Sequence, residues 1–303
     1  MTNQILAWIV FNIFIVTVIA LDLGVFHRHA KDVKVKDALI WCGVWIALAF
    51  VFNIGIYFVR GREVALNFLA GYLLEESLSV DNIFVFILIF SQLHVPSIYQ
   101  HKVLGWGICG ALIMRALFII TGVALLQYFH WVIYILGAFL VFTGFKMVFN
   151  VEKDIDPTKN PFLLFIRKHF AVTEEYHENK FFIKKDNRTF LTPLFVVVLL
   201  IAITDLIFAM DSIPAILAIT DDPFIVYSSN AFAVLGLRSL FFAVAGLMKM
   251  FHYLHFGLAA ILIFLGSKML LDHFFEVPVV FTLLFIITTL GISIFASLRL
   301  SKT

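Results

Sequence analysis

The sequence predicts an all-α polytopic membrane protein, and three observations support this fold class. Of the 303 residues, 62% are hydrophobic and only 14% are charged. Mean hydropathy is +1.02, and the apolar residues form about nine long runs separated by short polar segments. Roughly 20 apolar residues in a helix cross about 30 Å of hydrocarbon with every backbone polar group satisfied. We therefore expect about nine transmembrane helices with the lipid bilayer as their main partner, and no nucleic acid.

The predicted spans follow one another at nearly regular intervals. They cover residues 5–26, 38–59, 66–91, 103–126, 129–149, 191–213, 224–247, 255–272 and 277–298. No basic region precedes the first run, which indicates a first span rather than a cleaved signal peptide. The chain accordingly divides into peripheral helices 1–2 (1–62), a first repeat (63–149), a cytoplasmic loop (150–190), a second repeat (191–272), and helix 9 with the C-terminus (273–303).

The basic residues predict the orientation of the chain. With nine spans, sixteen lysines and arginines fall in or beside the segments on one side, and only Arg60 and Arg62 fall in loops on the other. Cytoplasmic loops of membrane proteins carry the excess of basic residues. We expect a multi-pass protein of the cytoplasmic (inner) membrane, with its N-terminus outside and its C-terminus in the cytoplasm.

An internal repeat relates spans 3–5 to spans 6–8. Residues 138–147 (AFLVFTGFKM) match residues 260–269 (AILIFLGSKM) at six of ten positions. Arg115-Ala-Leu-Phe matches Arg238-Ser-Leu-Phe, and the acids of span 3 match those of span 6 in spacing. Because three is an odd number, the two copies must cross the membrane in opposite senses. This 3+3 inverted repeat is typical of transporters whose site lies at the repeat interface near the midplane.

Two acidic stretches lie inside hydrophobic spans, Glu75 to Asn82 and Asp205 to Ser212. Each places two carboxylates six residues apart, followed by a small oxygen-bearing side chain. An acid near a helix centre costs roughly 2.5–3.5 kcal/mol on insertion scales, so four acids cost on the order of 10 kcal/mol. Acids in such a place are therefore candidate functional residues, and we predict that they form one cation site.

The predicted ligands are all oxygen donors, namely Glu75, Asp81, Asn82, Asp205, Asp211 and Ser212. Carboxylates, amides and hydroxyls favour hard divalent ions such as Mn²⁺, Mg²⁺ or Ca²⁺ over Zn²⁺ or Cu⁺. Carboxylates held together without metal bind protons, which metal binding then releases. Protons are thus a candidate coupling ion. The metal is expected as the transported ion, and no cofactor is expected.

Several other polar residues of the spans have two interpretations each. Arg115 and Arg238 are symmetric in the repeat, and either neutralise an acid or occupy and gate the empty site. Asp22 is either a helix-end residue or an entry ligand, and Glu76 ranks below Glu75 because it points another way on a helix. Pro214 predicts local unwinding near the second acidic stretch, because the residue before a proline is pushed away from helical geometry.

The 150–190 segment is the one sizeable polar segment between spans. Residues 161–169 are typical of a short amphipathic helix on the membrane surface. The apolar run at Phe181 to Ile183, the polar residues after it and a second apolar run predict a small hairpin. The segment is either a solvated linker or a regulatory or partner-binding element.

At these same residues the chain resembles the TerC family of integral membrane proteins, and within it the Alx-like manganese exporters. The matching stretches are Leu21 to Phe26 (LDLGVF), Gly71 to Glu75 (GYLLE), Ser77 to Asn82 (SLSVDN), Thr204 to Ala215 (TDLIFAMDSIPA), Thr220 to Ile225 (TDDPFI) and Ser229 to Arg238 (SNAFAVLGLR). The resemblance runs from about the first span to the ninth.

The resemblance implies Mn²⁺ efflux from the cytoplasm, with Glu75, Asp81, Asp205 and Asp211 as the acidic positions of the family. It also implies an association with tellurium resistance. One position departs from the pattern: many relatives have Glu three residues before the first Asp of the second motif, and here that residue is Ala202. The resemblance therefore implies a site with one fewer carboxylate, which leaves ion selectivity open.

A second function class is a membrane-protein assembly, metalation or tellurium-stress factor that acts through the 150–190 loop. In that case the acids within the spans would be structural. An enzyme is not expected, because the sequence contains no nucleophile–base pair, phosphate-binding loop or HExxH motif. Oligomeric state is left open by the sequence.

Overall fold

A bundle of helices makes up nearly all of the described structure. The computed structural model describes residues 2–24, 35–129, 131–149, 172–173, 176, 180–185, 188–247, 254–271 and 277–300. The helices in these ranges are α1 (Thr2–Gly24), α2 (Val35–Arg60), α3 (Arg62–Gln92), α4 (Ser97–Tyr128), α5 (Val132–Phe149), α6 (Pro193–Leu217), α7 (Pro223–Leu247), α8 (Leu254–Leu271) and α9 (Val279–Leu300). Strands β1 (Phe182–Lys185) and β2 (Arg188–Leu191) pair antiparallel and confirm the predicted hairpin.

Each predicted span coincides with one of these helices, with ends that differ by a few residues. Within the described ranges, six helices are long and apolar enough to cross a membrane, namely α2, α4, α5, α6, α7 and α9. The apolar parts of α1 and α8, Ile5–Leu21 and His255–Leu271, are shorter. Helix α3 is not among the six, because Glu75, Glu76 and Asp81 interrupt its apolar sequence. Nine membrane crossings therefore stay a prediction.

Two short connections position the helices that carry the predicted site. Gly61 separates α2 from α3 with a φ of 91°, a left-handed conformation that suits glycine, and its N–H bonds to the Tyr57 carbonyl at 3.1 Å. Asp222 caps α7, since its Oδ1 accepts the backbone N–H of Phe224 at 3.0 Å. Pro223 follows at the first helical position, where a missing N–H costs nothing.

The unwinding predicted near Pro214 is wrong. Helix α6 continues through Pro214 and ends three residues later, at Leu217. The proline removes only the hydrogen bond that residue 214 would donate to the Met210 carbonyl, and the helix continues for about one more turn beyond it. The second acidic stretch therefore lies on regular helix.

The buried core lies between α3, α4, α6 and α7. Helix α3 packs along α7, α4 packs along α6, and α5 packs along α8. The outer helices α1, α2 and α9 instead expose large apolar side chains, such as Ile5, Val59 and Phe295. Such surfaces are favourable against lipid and unfavourable in water.

Helices α5 and α8 approach each other closely through small residues. A Cβ atom built on Gly266 would lie 2.6 Å from the Gly137 carbonyl oxygen. A Cβ atom on Gly144 would lie 2.8 Å from the Ala259 carbonyl oxygen. Small residues allow this backbone contact between membrane helices. Because residue numbers rise along α5 as they fall along α8, the two helices run antiparallel.

The hairpin is tied to the helix ends beside it. The Tyr176 hydroxyl donates a hydrogen bond to the Leu93 carbonyl at 2.8 Å, and the Lys102 ammonium lies 4.3 Å from the centre of the Phe181 ring. Burial raises the pKa of Tyr176 to about 12. The amphipathic helix predicted at 161–169 lies outside the described residues.

Candidate functional site

The centre of the candidate site is Arg115, a buried residue of α4. Its Nε donates to Asp205 Oδ2 at 2.8 Å and its Nη2 donates to Asp205 Oδ1 at 2.9 Å. Two parallel N–H···O bonds of this kind match the planar guanidinium to a carboxylate, and they are among the strongest hydrogen bonds in proteins. Arg115 on α4 and Asp205 on α6 are thus held in one fixed geometry.

The same guanidinium also reaches α3 and α7. Its Nη1 donates to the Glu75 carboxylate and, at 2.6 Å, to Asn230 Oδ1. Asn230 Nδ2 donates in turn to Glu75 Oε2 at 3.2 Å, and Asn82 Nδ2 donates to Asp205 Oδ1 at 3.3 Å. Four helices therefore meet at one polar network, and each oxygen of Glu75 and Asp205 accepts a hydrogen bond.

The network is shielded from solvent and carries unequal charge. Glu75, Asp205 and Arg115 are 0%, 1% and 2% exposed. With both acids ionised, these three residues carry a net charge of −1. Transferring such ions out of water costs several kcal/mol each, and hydrogen bonds to the remaining lone pairs are needed to offset that cost. The two asparagines supply those bonds.

Two buried hydroxyl groups lie on the helices that carry the acids. Ser79 Oγ on α3 and Ser212 Oγ on α6 are fully shielded, and neither has a hydrogen-bond partner within the described part of the chain. Buried hydroxyls normally have partners, so these two indicate oxygens available to a further group. Both are ligand types that a hard divalent cation accepts.

Comparison with known proteins identifies the family. The sequence model for the integral membrane protein TerC family matches residues 60–303. The chain belongs to the TerC family of integral membrane proteins. Its TerC relatives include a Myxococcus xanthus protein described as the uncharacterized membrane protein STKORF319, which is 48% identical over 97% of this chain and 92% of its own length.

Two further relatives cover nearly the whole chain. Escherichia coli K12 Alx, described as a proposed membrane-bound redox modulator, is 41% identical over 92% of this chain and 89% of its own length. An uncharacterized membrane protein of Rickettsia bellii is 38% identical over 96% of this chain and 97% of its own length. No solved structure matches this TerC protein. The TerC match begins at Arg60, so α1 and most of α2 precede it.

The structure brings together part of the predicted ligand set. Glu75, Asn82 and Asp205 meet at Arg115, which is one of the two arginines singled out in the sequence of this TerC protein. Asp22, Asp81 and Asp211 lie on α1, α3 and α6, but their side chains are outside the described residues. Among the side chains that are described, no three His, Cys, Asp or Glu residues group as a metal site.

Glu76 and Arg238 lie outside this hydrogen-bonded set. Glu76 faces α7 near Gly236, and its Oε2 is buried without a hydrogen-bond partner among the described residues. Arg238 is buried on α7, eight residues after Asn230. The predicted difference in direction between Glu75 and Glu76 is therefore seen in the structure.

Asn230 is the functional candidate that sequence reasoning missed. It bonds both Arg115 and Glu75 from α7, and it is 1% exposed. The available signal was an amide inside an apolar span, next to Ser228 and Ser229. A spacing of eight residues also places Asn230 near the helix face of Arg238. The prediction included neutral side chains only where they directly follow an acid, as Asn82 and Ser212 do, and this left Asn230 out.

Proposed function

We propose that this TerC protein transports divalent cations and exports Mn²⁺ from the cytoplasm in exchange for protons. Mg²⁺ and Ca²⁺ are the competing ions that an all-oxygen site also accepts. The proposal places the protein in the cytoplasmic (inner) membrane with its N-terminus outside and its C-terminus in the cytoplasm. It treats the chain as a transporter and not as an enzyme.

The observation that carries the proposal is the convergence of Glu75 and Asp205 on Arg115. The two acids come from different helices, are separated by 130 positions in the sequence, and are buried in the core. Replacing a buried ionic network by apolar residues of similar volume often leaves the stability of a protein unchanged or increases it. A network that is expensive to bury at membrane depth therefore supports a role in ion binding more than a role in folding.

Symmetric contacts support the inverted repeat. The alignment of spans 5 and 8 pairs Gly144 with Gly266 and Gly137 with Ala259. The close approach of Gly144 to Ala259 therefore corresponds to that of Gly266 to Gly137. A contact that maps onto itself in this way, between antiparallel helices, is what a two-fold axis in the membrane plane requires.

The first helices of the two copies run in opposite directions as well. Gly71 of α3 lies beside Ile216 of α6, and Asn82 of α3 lies beside Asp205 of α6. The acidic stretches therefore pass each other antiparallel. This arrangement supports one shared site in which Asp81 and Asp211 join Glu75 and Asp205.

Each residue of the site then has its own role in binding and releasing the metal ion. Glu75 and Asp205 supply negative charge, the Asn82 and Asn230 amides supply oxygens, and Ser212 adds a hydroxyl. Arg115 occupies the acids when no metal is bound, so the ion must displace the guanidinium before it can be coordinated. Carboxylates that release the metal on the outer side of the membrane can take up protons there. Metal release is then coupled to proton import.

Mn²⁺ uptake into inverted membrane vesicles tests the proposal. We expect Glu75→Gln and Asp205→Asn to abolish uptake, because each removes a charge that binds the ion without changing side-chain volume. Glu63→Gln and Asp221→Asn are matched controls, since both acids are exposed on the described structure and lie outside the network. Uptake at wild-type rates in Glu75→Gln and Asp205→Asn would exclude the site.

Competition and coupling are measured in the same vesicles. Mg²⁺, Ca²⁺ and Zn²⁺ are added to the Mn²⁺ assay, and Zn²⁺ is expected to compete least because the ligands are oxygen atoms. Proton flux is followed with a pH-sensitive dye while the Mn²⁺ gradient is varied. If proton flux does not respond to the Mn²⁺ gradient, exchange is wrong even when transport is present.

The second function class remains testable beside the first. Alx is described as a proposed redox modulator, and the end of the 150–190 loop that forms the hairpin is docked on the helix ends through Tyr176 and Phe181. In cells that lack the gene, a chain with 151–171 replaced by a flexible linker should restore manganese tolerance if export is the function. Rescue by Asp81→Ala and Asp211→Ala, together with failure of the linker chain, would instead support assembly or stress protection through the loop.

A further inference from the structure

An apolar groove of about 520 Å³ lies on the outer surface between α1 and α2. Its walls include Val10 and Phe14 of α1 and Val51 and Val59 of α2, and Phe224 at the start of α7 also lines it. Gly55 lies in the wall, where an added Cβ would meet no atom within 4 Å. The groove is thus open and preformed, and apolar side chains make up almost all of its lining.

The length of the groove matches one leaflet of a bilayer. The α2 wall runs from Val51 to Arg60, and these ten residues rise by roughly 14 Å along an α-helix. Half of the hydrocarbon core is about 15 Å thick. One acyl chain lying in the groove would therefore reach from the middle of the membrane to its surface.

The outer end of the groove carries a fixed pair of opposite charges. Arg60 Nη2 lies 2.7 Å from Asp222 Oδ2, and a second cavity of about 370 Å³ opens beside the pair, also lined by Trp8 and Pro223. Asp222 is held in place because its Oδ1 caps α7 through the Phe224 N–H. The two side chains are 35% and 24% exposed. The guanidinium has five N–H donors, so contact with Asp222 leaves donors for a second acceptor.

We propose that this groove binds one phospholipid with an ethanolamine headgroup. One acyl chain fills the groove, the phosphate accepts hydrogen bonds from Arg60, and the ammonium donates to Asp222. An anionic phospholipid such as phosphatidylglycerol can donate only neutral hydroxyls to Asp222 and has no cation to balance the carboxylate, so its net negative charge is repelled. A choline headgroup has the right charges but no N–H to donate. Tryptophan is enriched at membrane interfaces, and Trp8 lines the cavity that would hold the headgroup.

Native mass spectrometry of the full chain in detergent tests the proposal. The protein is titrated with phosphatidylethanolamine, phosphatidylcholine and phosphatidylglycerol of identical acyl chains. We expect phosphatidylethanolamine to bind about ten-fold more tightly than phosphatidylglycerol, a difference typical of one charge-assisted hydrogen bond. Equal or tighter binding of phosphatidylglycerol would overturn the assignment of the headgroup.

Two variants with matched controls locate the lipid. Gly55→Leu fills the groove, and Gly43→Leu places the same side chain on α2 where an added Cβ also meets no atom. Arg60→Gln removes the phosphate donor, and Arg62→Gln removes an exposed charge two residues away. Gly55→Leu and Arg60→Gln should each weaken phosphatidylethanolamine binding about ten-fold, and the controls should leave it unchanged. Unchanged binding in Gly55→Leu would overturn the site whatever Arg60→Gln does.

Discussion

Replacing Arg115 by glutamine removes the cation that holds Glu75 and Asp205 together. The side chain makes two hydrogen bonds to Asp205, one to Glu75 and one to Asn230, and all partners are buried. Removing one member of a buried ion pair costs about 3–5 kcal/mol, because the remaining charge is left uncompensated. At about 2–4 °C per kcal/mol, the unfolding midpoint should fall on the order of 10 °C.

Mn²⁺ should reverse this loss more than it stabilises the wild-type protein. Under the proposed function, the ion would first have to displace the guanidinium in the wild type, and its apparent affinity would fall with the fraction of molecules that have an open site. In Arg115→Gln the acids are open, and an ion at 100 times its Kd adds about 2.7 kcal/mol of stability. The midpoint is measured by tryptophan fluorescence in detergent, with and without MnCl₂.

Arg62→Gln is the control, since Arg62 is exposed at the start of α3 and contacts no part of the network. Its midpoint and its response to Mn²⁺ should equal those of the wild type. The reasoning is refuted if Arg115→Gln is as stable as the wild type without metal, or if Mn²⁺ raises both midpoints equally. Either result would mean that Arg115 and the metal do not compete for the same acids.

A triple variant separates folding from ion binding in the same assay. Glu75→Gln, Arg115→Met and Asp205→Asn together replace the ionic network by neutral side chains of similar volume. Such replacements are often neutral or stabilising. We therefore expect a midpoint at or above that of the wild type, no response to Mn²⁺ and no Mn²⁺ uptake. Uptake by this variant would show that the network serves the fold alone.

Two further variants test the packing of α5 on α8 and the docking of the hairpin. Gly266→Ala forces a methyl group against the Gly137 carbonyl and should lower the unfolding midpoint by the equivalent of about 1–3 kcal/mol, whereas Gly291→Ala, whose Cβ meets open space, should not. Tyr176→Phe loses the bond to Leu93 and should weaken protection of β1 and β2 from proteolysis by about 1 kcal/mol. Burial raises the pKa of Tyr176 to about 12 from about 10 in the unfolded chain, so this contribution is fully present below about pH 10 and is lost as the pH rises toward 12. The wild type and Tyr176→Phe should therefore converge only at strongly alkaline pH.

The helices could be predicted from the sequence because membrane helices are set by local rules. Length and hydropathy give the spans, and in the structure Gly61 and Asp222 lie where two of the helices begin. The hairpin followed from two apolar runs with a polar turn. The prediction from Pro214 was wrong because a proline removes a single hydrogen bond of its helix, and the sequence does not show that the helix continues to Leu217.

The charged residues of the site could be predicted from the sequence, but the hydrogen bonds that join them could not. Glu75, Asp205 and Arg115 stand out because charge in an apolar span is expensive wherever it lies. Which arginine meets which acid depends on how four helices pack, and the repeat makes Arg115 and Arg238 equivalent in sequence. Asn230 was overlooked for a related reason: unlike Asn82 it follows no acid in the sequence, and its link to the site is seen only in its bonds to Arg115 and Glu75.

The charge balance of the network is itself an argument for a mobile cation. Two acids and one arginine leave a net charge of −1, and Asp81 and Asp211 follow on the same two helices six residues after Glu75 and Asp205. A network that served only to join helices would be most stable with equal numbers of both charges, since buried charge is costly unless paired. A surplus of carboxylates beside a guanidinium bound to two of them suits a site that must hold an ion and also let it go. Under the proposed function, the arginine would keep the empty site folded, and its competition with the metal would keep binding weak enough for release.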